Sequence, residues 1–166
     1  MTVASKHTTQ LSLPSDLEIT MTRIFEAPRA IVFDAWTKPE LLRRWWGPPG
    51  WTLVTCDADL HIGGSYRYVV RNPSGNEMDL RGTYRELSRP DRIVHTQTIV
   101  GCPAQGSDET LVTTVLSERD GVTTLTSTLR YATKALRDTV MQSGIRTIDG
   151  VYNKLDSLLA SGVLAS

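Results

Sequence analysis

Asp34-Ala-Trp-Thr-Lys-Pro-Glu-Leu-Leu-Arg-Arg-Trp-Trp-Gly-Pro-Pro-Gly50 holds three of the chain's four tryptophans, and the fourth, Trp51, follows at once. Tryptophan is the largest apolar side chain, so this density implies a wall that is buried or that borders a cavity. Ala27-Pro28 opens a helix over Pro28–Thr37, since proline's missing N–H costs nothing in a first turn. Lys38-Pro39-Glu40 restarts a second short helix through Trp45 or Trp46, and Gly47-Pro48-Pro49-Gly50 ends it. In the first helix Ile31, Val32, Ala35 and Trp36 fall on one side. Trp36 lies one turn after Val32 and is expected in the core.

Upstream, Leu17–Glu26 alternates through Leu17, Ile19 and Met21, then shifts to Ile24, which predicts a strand. Residues 1–16 are polar around Leu11 and Leu13 and read as a flexible tail with room for a short edge segment. Downstream, six further strands are predicted: Trp51–Leu60, Ser65–Arg71, Met78–Leu87, Arg92–Val100, Glu109–Glu118 and Val122–Tyr131. Turn signals separate them at Ile62-Gly63-Gly64, Asn72–Asn76, Ser88–Asp91 and Arg119-Asp120-Gly121; Gly101–Asp108 is a longer loop. Short connections between consecutive strands imply an antiparallel meander rather than βαβ units.

The chain closes with a predicted long helix, about Lys134–Ser161. Its stripe of Leu136, Val140, Met141, Ile145, Ile148, Val151, Tyr152, Leu155, Leu158 and Leu159 suits a helix lying on a sheet. Gly144 and Gly150 each cost it about 1 kcal/mol against alanine. Close approach to the sheet, room for a ligand and a plain kink all account for them. Gly162 is placed to cap the end.

The 166 residues suit one domain over 17–161, with tails at 1–16 and 162–166. Eighteen basic and eighteen acidic residues give zero net charge, which argues against nucleic-acid and anionic-membrane partners. Cys56 and Cys102 are too few for a disulfide framework, so a cytoplasmic home is expected. The first ten residues lack the apolar core of a secretory signal, and no apolar run reaches membrane-spanning length.

The order of several motifs is more specific than any one of them. Glu26-Ala-Pro-Arg-Ala-Ile-Val-Phe-Asp-Ala-Trp-Thr-Lys-Pro-Glu-Leu-Leu-Arg-Arg-Trp-Trp-Gly-Pro48 comes first. Asp59-Leu-His-Ile-Gly-Gly-Ser-Tyr-Arg-Tyr68, Gly82-Thr-Tyr-Arg-Glu86 and Pro90-Asp-Arg-Ile-Val94 follow. Together, over about Leu17 to Leu159, they resemble the activator of heat-shock-protein ATPase homologue-like branch of the SRPBCC (START-like) superfamily. His61 departs from that pattern, which more often has arginine before the paired glycines. The resemblance implies an α+β helix-grip fold: a curved antiparallel sheet wrapped around a long C-terminal helix, with two short helices after the first strand. It also implies a cavity between sheet and helix for a hydrophobic or amphipathic small molecule. Relatives include lipid carriers and polyketide aromatase/cyclases. The co-chaperone that names the branch carries a second domain for which this chain has no room, so a chaperone ATPase partner is not expected.

Several residues are candidates for that cavity. Tyr66 and Tyr68 share a strand face, and Tyr84 has the same two readings, core packing or a hydroxyl offered to a ligand. His95 lies between Ile93 and Gln97 on one face and is the chain's most interesting titratable group; a hydrogen-bonded sheet histidine is the competing reading. Trp45, Trp46 and Trp51 flank the expected mouth, and Met141, Ile145 and Ile148 form the helix-side wall. Asp57 and Asp59 read as a solvated face, because two buried carboxylates would need strong compensation. Arg67, Arg71, Arg81, Arg85, Arg89 and Arg92 alternate with acids and read as outer sheet surface. No metal-ligand spacing, phosphate loop or nucleophile elbow appears, and no cofactor is implied. The expected function is binding of a hydrophobic or aromatic small molecule. The alternatives are a polyketide cyclase/hydratase-like enzyme using cavity Tyr and His, and a co-chaperone-like interaction module. A homodimer is compatible with the pattern, but nothing in the sequence calls for one.

Overall fold

The computed structural model describes residues 7–100, 108–142, 145 and 148–162. Strands β1 (Gln10–Ser12), β2 (Glu18–Phe25), β3 (Thr52–Ala58), β4 (Ser65–Arg71), β5 (Glu77–Ser88), β6 (Arg92–Val100), β7 (Thr110–Arg119) and β8 (Val122–Arg130) form one antiparallel sheet. Their order is β1-β2-β8-β7-β6-β5-β4-β3. Strands β3 to β8 are a meander, and β2 joins it by pairing with β8, Ile19 opposite Leu129. Helices α1 (Arg29–Thr37) and α2 (Pro39–Leu42) lie between β2 and β3; α3 (Lys134–Gln142) and α4 (Ile148–Ala160) follow β8. This is the α+β architecture expected from the motifs. The C-terminal stripe is carried by two helices, α3 and a final helix of 13 residues. Between them Ile145 sits in a tight helical turn. Gly144, Cys102 and most of the Gly101–Asp108 loop lie outside the described residues.

The alternation in β2 runs further than expected. Ile19, Met21, Arg23 and Phe25 all point inward, and Ile24 is exposed. The expected shift at Ile24 does not occur, because Arg23 takes the inward slot as a charged residue. Its guanidinium donates to Asp149 Oδ1 at 3.0 Å and Asn153 Oδ1 at 2.8 Å, and pairs with Asp156, all on α4. It also lies 5.8 Å from the Phe25 ring centroid and 6.0 Å from that of Tyr152. A guanidinium can be buried only with partners of this kind, so the cluster ties β2 to α4.

The outer surface accounts for the other arginines. Arg67 and Arg81 both bond Asp79, and these bonds, from Arg81 first, pull its carboxyl down to about 2. Arg71 pairs with Glu77, Arg92 with Glu86 and Arg89 with Asp34. Exposed pairs of this sort each contribute about 0–1 kcal/mol, so they set solubility more than stability. Asp57 and Asp59 are exposed, and Asp59 bonds His61 at 2.8 Å.

Candidate functional site: a cavity between sheet and helices

Strand alternation places Tyr66 and Tyr68 of β4 on the inner face, where Tyr84 of β5 and His95 of β6 join them. Tyr66 crosses beneath β5 to reach β6, and Gly82 makes this possible. A Cβ at Gly82 would stand 2.6 Å from the Tyr66 hydroxyl and 1.9 Å from the Thr96 carbonyl oxygen. Through this gap the Tyr66 hydroxyl donates to Thr96 O at 2.6 Å and meets His95 Nδ1 at 2.9 Å. Its single proton is committed to the carbonyl, so the Nδ1 contact requires His95 to be the donor. Nδ1 also lies 3.2 Å from Thr96 O, an acceptor that calls for the same tautomer.

The inner face encloses a cavity of about 480 Å³, roofed by α3 and α4 and bordered by the loop between α2 and β3. That volume lies within the range of roughly 300–1,000 Å³ typical of small-molecule sites. Of the sequence-predicted residues, Trp46, Trp51, Tyr66, Tyr68, His95, Ile145 and Ile148 line it. Trp45 does not. It is 1 % exposed, and its indole N–H donates to Ala35 O at 2.9 Å, which turns the ring into the core. Trp36 has the opposite fate: expected in the core, it packs edge-on to Trp45 with centroids 4.9 Å apart and lines the cavity. Met141 is partly buried beside the Ile19, Tyr131 and Leu136 cluster and is not part of the lining.

Sequence reasoning missed a polar row across β7 and β8. Thr114 and Ser127 are cross-strand partners whose hydroxyls lie 3.2 Å apart, and both reach the cavity. Gln97 and Tyr131 also line it, as does Met21. The face shared by Gln97 and His95 was legible in the alternation; the Thr114–Ser127 pairing needed the register. The Tyr68 and Tyr84 hydroxyls bond each other at 3.2 Å. Burial raises the pKa of Tyr66, Tyr68 and Tyr84 above the ordinary phenol value and lowers that of His95. No Lys, Arg, Asp or Glu lines the cavity among the described residues.

A tight contact joins α4 to the loop between α2 and β3. Gly150 of α4 faces Pro49 so closely that a Cβ there would stand 2.6 Å from Pro49 Cγ. Close approach is thus the reason for this glycine, and its neighbour is the rim loop rather than the sheet. Among the described residues no three His, Cys, Asp or Glu side chains gather as a metal site. No helix among the described residues is long and apolar enough to cross a membrane.

Residues 26–160 match the family described as Activator of Hsp90 ATPase homolog 1-like protein. The chain belongs to that family. A crystal structure of a Rhodobacter sphaeroides protein is similar at 31 % identity, covering 93 % of this chain and 99 % of its own, with TM-score 0.84. A Staphylococcus epidermidis protein solved by NMR has 26 % identity, coverage of 92 % and 94 %, and TM-score 0.78. Protein Ms6760 of Mycobacterium smegmatis, at 24 % identity and TM-score 0.78, covers 92 % of this chain and 96 % of its own and shares the fold. A search of curated proteins returns no match. The matched region of this family member contains all of β3 to β8 and reaches the end of α4, so the cavity lies almost wholly within it. The fold and family support a module for ligand binding or interaction in general.

Proposed function

We propose that this family member binds a hydrophobic or aromatic small molecule in the cavity between sheet and helices. The observation that carries the reading is the cavity itself: about 480 Å³, walled by Trp36, Trp46, Trp51 and a cluster of tyrosines. Closely packed interiors leave few voids larger than a water molecule, so a space of this size is a feature that needs an occupant. Tilted ring pairs, such as Tyr66 with Tyr68 at 4.8 Å and Trp46 with Tyr68 at 5.3 Å, supply π-faces for an aromatic guest. The cyclase-like alternative requires two polar groups converging on one reacting position. The Tyr66 proton is held by Thr96 O, which weighs against Tyr66 as the acid paired with His95. The cytoplasm is the compartment we assign, consistent with a buried Cys56 whose thiol burial pushes up to about 11.

Native mass spectrometry of freshly purified protein, followed by thermal-shift titration with aromatic and lipid probes, tests the reading. A stoichiometric guest, or a probe that raises Tm in proportion to its occupancy, supports it. An empty protein that no probe shifts refutes it and favours the interaction-module alternative.

A further inference from the structure

We infer that the cavity selects neutral aromatic hydroxyl compounds, phenols and their fused-ring relatives, by accepting their O–H proton on His95 Nε2. The inference rests on the cavity-binding reading and narrows it to one chemistry. Three observations carry it. First, both contacts of His95 Nδ1, with Tyr66 Oη at 2.9 Å and Thr96 O at 3.2 Å, hold the proton on that nitrogen. In a neutral imidazole the other nitrogen is then a bare acceptor. Second, Nε2 makes no hydrogen bond to any described residue, and the imidazole lines the cavity. Of the other hydroxyls in the lining, Tyr68 bonds Tyr84 and Thr114 bonds Ser127. Each pair keeps one proton spare, so these groups add donors and leave Nε2 as the imidazole's own acceptor. Third, no cationic side chain lines the space among the described residues. Against this described lining a buried carboxylate or sulfate would face desolvation without a partner, which favours an uncharged guest. The Tyr66 hydroxyl, and the absent Cβ of Gly82 that lets it through, fix the imidazole's tautomer, while the Tyr66 ring stays part of the wall.

The test uses three probes on the intact protein: 2-naphthol, 2-methoxynaphthalene and 2-naphthoate. Net hydrogen-bond contributions of about 0.5–1.5 kcal/mol predict that 2-naphthol binds roughly two- to thirteenfold more tightly than its methyl ether. Naphthoate should bind more weakly than either neutral probe. In His95→Phe the preference for naphthol over the ether should fall below about twofold, with the ether's affinity retained. Imidazole ¹⁵N spectra of the unsubstituted protein give a readout that depends on no variant folding. They should report the Nδ1–H tautomer, with the Nε2 signal moving on addition of naphthol and not of the ether. Equal binding of naphthol and ether, a preference that persists in His95→Phe, or an Nε2–H tautomer overturns the inference while leaving cavity binding intact. Failure of all three probes to bind overturns both.

Discussion

At the residue scale, two tyrosines with similar burial should respond in opposite ways to loss of a hydroxyl. Tyr152 is 1 % exposed and its hydroxyl has no hydrogen-bond partner among the described residues; Tyr66 serves both Thr96 O and His95. An unsatisfied buried hydroxyl is a cost, so Tyr152→Phe should leave the urea midpoint unchanged or raise it. Tyr66→Phe should cost about 1–2 kcal/mol by the same measurement. His95 makes a second prediction, in pH. Burial holds its folded pKa below the ordinary value of about 6.5, so the unfolded chain binds protons first as pH falls. Its contribution is therefore complete above about pH 6.5 and is lost progressively as pH falls toward the folded pKa. His61 acts with the opposite sign. The Ile62 carbonyl, then Asp59, raise its pKa, so its contribution is present below about 6.5 and lost as pH rises through the folded value. Denaturation of the native protein and His95→Gln in parallel, between pH 7.5 and 5, isolates the His95 share: the native protein should lose more stability on acidification. Identical slopes would refute it.

At the element scale, the rim loop and α4 meet at Pro49 and Gly150. Glycine inside a helix costs about 1 kcal/mol against alanine, yet a methyl at 150 would collide with the proline ring. Gly150→Ala alone should gain nothing in Tm, and Gly150→Ala with Pro49→Ala should recover that 1 kcal/mol relative to Pro49→Ala. Simple additivity in the cycle would mean the contact has no energetic weight. Elements are also where the sequence was most readable. Period-two alternation put Tyr66 with Tyr68 on one strand face and His95 with Ile93 and Gln97 on another, and the structure turns both faces, with Tyr84, to the cavity. Helical spacing was less decisive. It could group Trp36 with Val32, but could not say that the Trp45 indole would find Ala35 O and leave Trp36 to the cavity. Arg23 was illegible for a different reason: a charge in an inward slot makes sense only once Asp149 and Asp156, far along the chain, are known to meet it. The Thr114–Ser127 pair likewise depends on register, which alternation alone leaves open.

At the scale of the whole molecule, we take residues 17–161 as the folding unit. Strand β1 adds only the pairs from Gln10 to Ser12 at one edge, with Thr9 N–H bonding Asp149 at 2.8 Å. A chain trimmed to 17–161 should fold, with Tm lowered by about 3–8 °C, the equivalent of roughly 2 kcal/mol at this size; calorimetry that finds no cooperative transition would place the N-terminal segment inside the unit. The pairing of β2 with β8 has a consequence in time. Each strand from β4 to β8 can zip onto the one made just before it, but Ile19 must wait for Leu129. At about 5–20 residues per second of synthesis, roughly a hundred residues represent some 5–20 s during which β2 has no partner strand from the meander. Met21 and Ser127 are paired across that same seam and both border the cavity, so the pocket is among the last parts of the molecule to exist. On the ribosome a guest would find nothing to bind until the chain is almost complete.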